Sequence, residues 1–281
     1  RSSVAESLGK LARVEPSIVQ VLLNRLKDQD SDLRYAAVLA LGELDTTAPN
    51  VLQALTCCLD DKDRNVRISA IFALGKLGTA TTDMLQALLY RLKETDWEVR
   101  SMTAYALGEL GNATPEIVQA LLSCLSDDLY DVPSSAATAL GQLGTDTSEV
   151  LEALISLLVT NDKFACSSAV KALGQLGNAN PYVIHALINC LSDDDSNVRA
   201  SAAVALGKLG QPSPEVLSEL INRLSDGESG VRANATFALG NLGKQANTVA
   251  PQLADWIEQN QQSDYVGHGI DALWAIMTEQ A

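Results

Sequence analysis

Residues 193–210 read Asp193-Asp194-Asp195-Ser196-Asn197-Val198-Arg199-Ala200-Ser201-Ala202-Ala203-Val204-Ala205-Leu206-Gly207-Lys208-Leu209-Gly210. Val198, Ala202, Ala205, Leu206 and Leu209 fall at i, i+4, i+7, i+8 and i+11, which is one face of a helix. A strand would need alternation with period two, and none is present. The acidic opening offers a helix cap and the closing glycine a stop. The tripeptide Ala-Leu-Gly then recurs at Ala40, Ala73, Ala106, Ala139, Ala172, Ala205 and Ala238, always 33 residues apart, and Ser7-Leu8-Gly9 stands one period upstream. Such regularity predicts a stack of small units, each burying its apolar face only against its neighbours.

A further helix precedes the Ala-Leu-Gly helix in each period. In Gly111-Asn112-Ala113-Thr114-Pro115-Glu116 and Gly210-Gln211-Pro212-Ser213-Pro214-Glu215, Gly closes one helix, Thr or Ser caps the next, and Pro occupies its first turn. Ile117, Val118, Leu121, Leu122 and Leu125 follow at helical spacing. The fold class expected is therefore all-α, an α-α superhelix (solenoid) of about eight 33-residue helical hairpins. A single solenoid is expected over residues 1–281, with an incomplete first repeat at 1–12, where Arg1 to Leu11 is a second helix lacking its partner. An atypical capping repeat is expected at about 247–281, because Ala272-Leu273-Trp274 puts Trp where Gly belongs and seals that end. The chain opens Arg-Ser-Ser-Val with no initiating Met and no basic-then-apolar leader, so it is expected to be a fragment of a larger protein.

Composition agrees with packed helices. Hydrophobic residues make up 47% but aromatics only 4%, so the core is built from Leu, Ala and Val. No apolar run reaches the ~18 residues a spanning helix needs, the richest stretch, Val150 to Val159, being broken by Glu152 and Ser156. A formal charge of −15 repels polyanions, which argues against a nucleic-acid or membrane partner. Five cysteines without a C-x-x-C pair read as free thiols in a reducing, cytoplasmic setting. Cys58, Cys124 and Cys190 share one column two repeats apart, beyond the ~7 Å Cα separation a disulfide tolerates. His185 and His268, the only histidines, lie on different repeats with no ligand pattern around them, and no phosphate-cradling glycine motif occurs. No catalytic, cofactor-binding or metal-ligating set is expected.

The pattern of an acidic turn, Val-Arg, Ala, Ala-Leu-Gly and Leu-Gly resembles HEAT repeats, most of all the short HEAT-like repeats of the phycobilin-lyase type, over roughly residues 4 to 276. The resemblance implies that the second helix of each pair lines the concave face of a superhelix. It also implies that the chain is a non-catalytic protein–protein interaction scaffold or sensor module. Other members of the family are sensor arms of signalling ATPases, bilin lyases or excisers of damaged DNA bases. The partner expected is a protein, including an N-terminal signalling domain of the same polypeptide. The alternative is a bilin lyase-like subunit binding a chromophore and a cysteine-bearing protein substrate.

Arg34, Arg67, Arg100, Arg199 and Arg232 form one column, preceded at six residues by Asp28, Asp61, Glu94, Asp193 and Asp226, and each pair is expected to bridge its own turn and so stitch successive units together. A second acidic column, Asp30, Asp63, Asp96, Asp162 and Asp195, is placed to cap the second helices. Together the acids form an edge read chiefly as capping and secondarily as a dock for a basic partner. The Arg column reads Pro133 and Cys166 in two successive repeats, which predicts a soft segment over 127–166, a late helix start with Asp131 as substitute cap, and two missing rungs. Residues one and five places after the Arg column lie opposite the core. Among them Tyr35, Leu39, Ile68, Phe72, Tyr105, Lys171, Val204 and Phe237 are the candidate partner-binding residues of the concave groove.

Overall fold

The computed structural model of the chain describes residues 16–44, 47–129, 131–243 and 248–278. The expected incomplete repeat at 1–12 lies outside the described residues. Two compact units divide the chain, Arg1–Leu143 and Gly144–Ala281. All the described regular structure is helical.

The amino-terminal unit contains α1 (Pro16–Arg25), α2 (Ser31–Gly42), α3 (Pro49–Cys57), α4 (Arg64–Leu77), α5 (Thr82–Arg91), α6 (Trp97–Leu110), α7 (Pro115–Cys124) and α8 (Asp131–Leu143). The carboxy-terminal unit contains α9 (Ser148–Leu157), α10 (Lys163–Leu176), α11 (Pro181–Cys190), α12 (Ser196–Leu209), α13 (Pro214–Asn222), α14 (Ser229–Gly243), α15 (Val249–Gln259) and α16 (Val266–Thr278). Odd-numbered helices are first helices of a hairpin, even-numbered ones second helices. In each unit the second helices stack on one another in order, α2–α4–α6–α8 and α10–α12–α14–α16.

Local chemistry accounts for these boundaries. Asp30, Asp63, Asp96, Asp162 and Asp195 each accept a hydrogen bond from a backbone N–H of the first turn of a second helix, as their column implied. Thr81, Thr114, Thr147, Asn180 and Ser213 do the same for first helices, with Pro115, Pro181 and Pro214 opening the turn. Gly78 and Gly210 end second helices at φ 65°, where a side chain would be strained.

The glycine inside Ala-Leu-Gly has another use. A Cβ on Gly75 would lie 3.0 Å from Cα of Ala106, and one on Gly207 would lie 2.7 Å from Cα of Ala238. The glycine therefore lets one second helix meet the alanine of the next repeat backbone to backbone. The core repeats with the sequence: Leu41, Leu74, Leu107 and Leu140 are completely buried, as are Leu173 and Leu239.

The last hairpin departs from the pattern. Gly240 faces Ala275, 35 residues on, whereas Gly207 faces Ala238, 31 residues on. A turn four residues longer shifts α16 by one helical turn. Ala272 and Ile276 point inward, and Ile270, Trp274 and Met277 form an outward row. Trp274 is 67% exposed.

Candidate functional site

The Arg column is a ladder between successive hairpins. In each described rung Nη1 of the arginine donates to the carbonyls five and six residues back, as Arg100 does to Glu94 at 2.7 Å and Thr95 at 2.9 Å. The rest of the guanidinium reaches forward: Arg34 forks onto Asp61 at 2.7 Å, Arg100 onto Asp127 at 2.7 and 2.8 Å, and Arg199 onto Asp226 at 2.8 and 2.9 Å. Arg67 meets Glu94 at 3.3 Å. The carboxylate partner thus lies 27 residues ahead, in the next repeat, and not six behind across the same turn. The expectation of pairing within one turn is corrected: across its own turn the arginine binds main chain. These forks hold Asp61 and Asp127 below the usual carboxylate range, the hydrogen bonds from Arg34 and Arg100 being the largest cause.

The segment with Pro133 and Cys166 is less damaged than its sequence implied. Asp127 receives Arg100, and Lys163 supplies the rung that Cys166 lacks by reaching Asp193 at 2.9 Å. Pro133 lies in the first turn of α8, but Asp131 is a helical residue, not the cap before it. Leu129 occupies the capping column and is 42% exposed. Most of the acidic edge is thereby engaged within the fold, its two columns capping helices and receiving guanidinium forks.

Cys58, Cys124, Cys166 and Cys190 are buried and free, and Cys57 is exposed. Burial pushes Cys58 up to about 12 and Cys124 up to about 11, so both stay protonated at neutral pH. Cys166, on α10, donates its thiol hydrogen to the Leu158 carbonyl at 3.7 Å, and the Cys166 thiol together with burial holds Cys190, on α11, well above the thiol range. His185 is exposed with Nδ1 3.4 Å from Nδ2 of Asn189, and the His268 carbonyl accepts from Thr236. Among the described residues no group of three or more His, Cys, Asp or Glu is placed to hold a metal ion, and no helix is long and apolar enough to cross a membrane.

All eight candidate contact residues lie on second helices, five in one unit and three in the other. In the amino-terminal unit Phe72 on α4 is 42% exposed, while Tyr35 and Leu39 on α2, Ile68 on α4 and Tyr105 on α6 are half-buried. In the carboxy-terminal unit Lys171 on α10 is exposed, Val204 on α12 half-buried, and Phe237 on α14 54% exposed. The polar neighbour Ser167 is buried, bonded to Ser201 at 3.1 Å. Lys171 and Val204 line one cavity of about 320 Å³ together with Gln175, Ser201, Lys208 and Asn234.

A larger depression of about 780 Å³ opens on the first-helix side, lined chiefly by Leu158, Val159, Tyr182, Ile184, His185 and Ile188. Sequence reasoning passed over it. The signal was Tyr182, which takes the first-turn position held by Asp83, Glu116, Glu149 and Glu215 in other first helices.

The family model for HEAT repeats matches residues 1–75, 52–132, 85–166, 118–182, 167–240 and 184–274. No protein of curated function matches the sequence. An engineered protein of known structure is 22% identical, covering 99% of this chain and 85% of its own, with a TM-score of 0.52. The complex of CpcE and CpcF of phycocyanin lyase from Nostoc sp. PCC7120 is 20% identical, with 92% of this chain and 94% of that chain covered and a TM-score of 0.53. The karyopherin Kap121p, bound to the extreme C-terminus of the protein phosphatase Cdc14p, is 17% identical, covers 99% of this chain and 36% of its own, and gives a TM-score of 0.72.

Proposed function

Because the chain belongs to the HEAT-repeat family, we propose that it is a non-catalytic protein-binding scaffold or sensor module whose contact surface is the second-helix face. The observation that carries this reading is Phe72, 42% exposed on α4 with half-buried Leu39 before it and Tyr105 after it on the neighbouring second helices. A phenyl ring left open between apolar neighbours is a contact surface before it is anything else, and interface energy concentrates on such anchors. The protonated buried thiols are poor nucleophiles, which favours binding over chemistry. The partner is a protein, acting in trans or as a signalling domain of the same polypeptide, in the cytoplasm.

The test is the double variant Phe72→Ala/Tyr105→Ala. Truncating central aromatic anchors costs ~2 kcal/mol or more each, so partner affinity falls at least roughly tenfold while thermal stability hardly changes. A much lower melting temperature would place the rings in the core and remove the reading.

A second reading, a bilin lyase-like subunit acting on a cysteine-bearing protein, is favoured by the apolar depression beside Tyr182 and His185, whose 780 Å³ suits an organic ligand. Mixing the chain with a free bilin separates the two. A scaffold leaves the absorption band in place, and a chromophore-binding subunit shifts it.

A further inference from the structure

Three of the four second helices of the carboxy-terminal unit, α10, α12 and α14, contain no Asp or Glu, in a chain that carries 35, while the fourth, α16, carries Asp271. Their basic residues are Lys163, Lys171, Arg199, Lys208 and Arg232. Three of these are occupied. Lys163 holds Asp193 at 2.9 Å and Arg199 holds Asp226 at 2.8 Å. Arg232 donates to the Asp226 and Gly227 carbonyls and lies 4.5 Å over the Tyr265 ring. Lys171 and Lys208 are exposed, have no carboxylate partner among the described residues, and line the same cavity of about 320 Å³. The amino-terminal unit arranges this row differently: Lys76, the counterpart of Lys208, is held by Glu43 at 2.8 Å, and Glu109 follows on α6.

We propose that this cavity receives an acidic side chain of a bound peptide segment, with the Lys171 and Lys208 ammonium groups converging on one Glu or Asp carboxylate. Val204 and Ala205 in the cavity wall, with exposed Phe237 on α14, offer apolar contact to the residues flanking that acid. The charge pattern selects the occupant. A strongly acidic protein has placed two uncommitted ammonium groups among three consecutive helices that carry no carboxylate, which attracts an acid and repels the basic partners its turns would attract. Lys171, Gly174, Ser201, Val204 and Ala205 all lie inside helices, so the wall lacks the free N–H groups that a helix N-terminus would add for a phosphate, and inorganic phosphate is tested below as a competitor. This inference rests on the second-helix face being the contact surface, and it names the chemistry one part of that face selects.

The experiment is fluorescence anisotropy at physiological salt with the intact chain and a fluorescein-labelled decapeptide of Glu interspersed with Leu. A companion peptide carries Gln for every Glu, and inorganic phosphate serves as competitor. The Glu peptide is expected to bind at least tenfold more tightly than the Gln peptide, and Lys171→Gln/Lys208→Gln should weaken it at least tenfold. Both lysines are exposed, so folding is retained, and Lys62→Gln/Lys93→Gln on the turns of the other unit should leave binding unchanged. Equal affinity for the two peptides, an unchanged Lys171→Gln/Lys208→Gln variant, or displacement by millimolar phosphate alone would overturn the proposal. Any of these, with partner capture still lost in Phe72→Ala/Tyr105→Ala, would sink the carboxylate site and leave the scaffold reading standing.

Discussion

Replacing Arg100 by Ala tests the ladder where it is most complete. The side chain makes four hydrogen bonds, to the Glu94 and Thr95 carbonyls at 2.7 and 2.9 Å and to the Asp127 carboxylate at 2.7 and 2.8 Å. Arginine and aspartate side chains are 15% and 16% exposed. Removing one partner of a fully buried pair costs about 3–5 kcal/mol, and an exposed pair under about 1. A pair with residual hydration lies between, so Arg100→Ala is expected to lose about 2–3 kcal/mol. Arg100→Lys keeps the charge but not the fork and should lose about half of that. A cycle with Asp127→Ala should return a coupling of about 1–2 kcal/mol. The sign of the pH dependence follows from Asp127, whose carboxyl is held below its ordinary value of 3.8 chiefly by the Arg100 hydrogen bond. A depressed acid stabilises above its unfolded pKa and loses that contribution as pH falls through the folded one. The gap between wild type and Arg100→Ala should stay constant from neutral pH to about pH 4.5 and close below it. Urea unfolding followed by circular dichroism gives the energies, and amide exchange of α6 to α8 locates the loss, since repeat arrays unfold in parts. A cost below about 0.5 kcal/mol would refute the reasoning, as would a cost no larger than that of Arg25→Ala, where the arginine side chain is 58% exposed.

Other expectations follow from the same contacts. Gly207→Ala gains ~1 kcal/mol of helix propensity but drives a methyl to within 2.8 Å of the Ala238 Cβ, so a net loss of about 1–2 kcal/mol is expected in urea unfolding, whereas Gly230→Ala, with open space around it, should be neutral or stabilising. Ellman's reagent should titrate the thiol of Cys57 rapidly in the folded chain and all five after denaturation, and rapid reaction of four or more would show that the interior opens freely. Amide exchange among internal segments should be fastest over 127–166, where Leu129 stands in the capping column and Pro133 in the Arg column, and uniform protection from repeat to repeat would contradict it.

How much the sequence revealed depended on distance along the chain. Caps and stops are local, so Asp63, Asp195, Thr114 and Ser213 could be assigned from their immediate neighbours. The partner of each arginine could not, because a column that recurs every 33 residues fixes which rows meet and leaves open which repeat supplies each member. An acid six residues before Arg67 is the same acid, Asp61, that lies 27 residues after Arg34. Lys163 escaped notice because it stands three residues off the Arg column and reaches its acid by length. The register of α16 could not be read, because Ala272-Leu273-Trp274 keeps nearly the right spacing, while the contact that sets it, Gly240 against Ala275, requires three-dimensional packing. The same packing decided the role of the glycine in Ala-Leu-Gly, which propensity alone left open. The row from Tyr35 to Phe237 was legible as a column, and its openness to solvent was not.

The central claim is that protein partners are held on the second-helix face. It is tested most directly by placing the photocrosslinker p-benzoylphenylalanine at position 72 on α4, or at position 90 on α5 as the first-helix control. Both native residues are aromatic and accessible, Phe72 at 42% and Tyr90 at 65%. After irradiation in a cell extract the account predicts a defined covalent adduct from position 72, lost on Tyr105→Ala, and none from position 90. An adduct from position 90 with none from position 72 would contradict it.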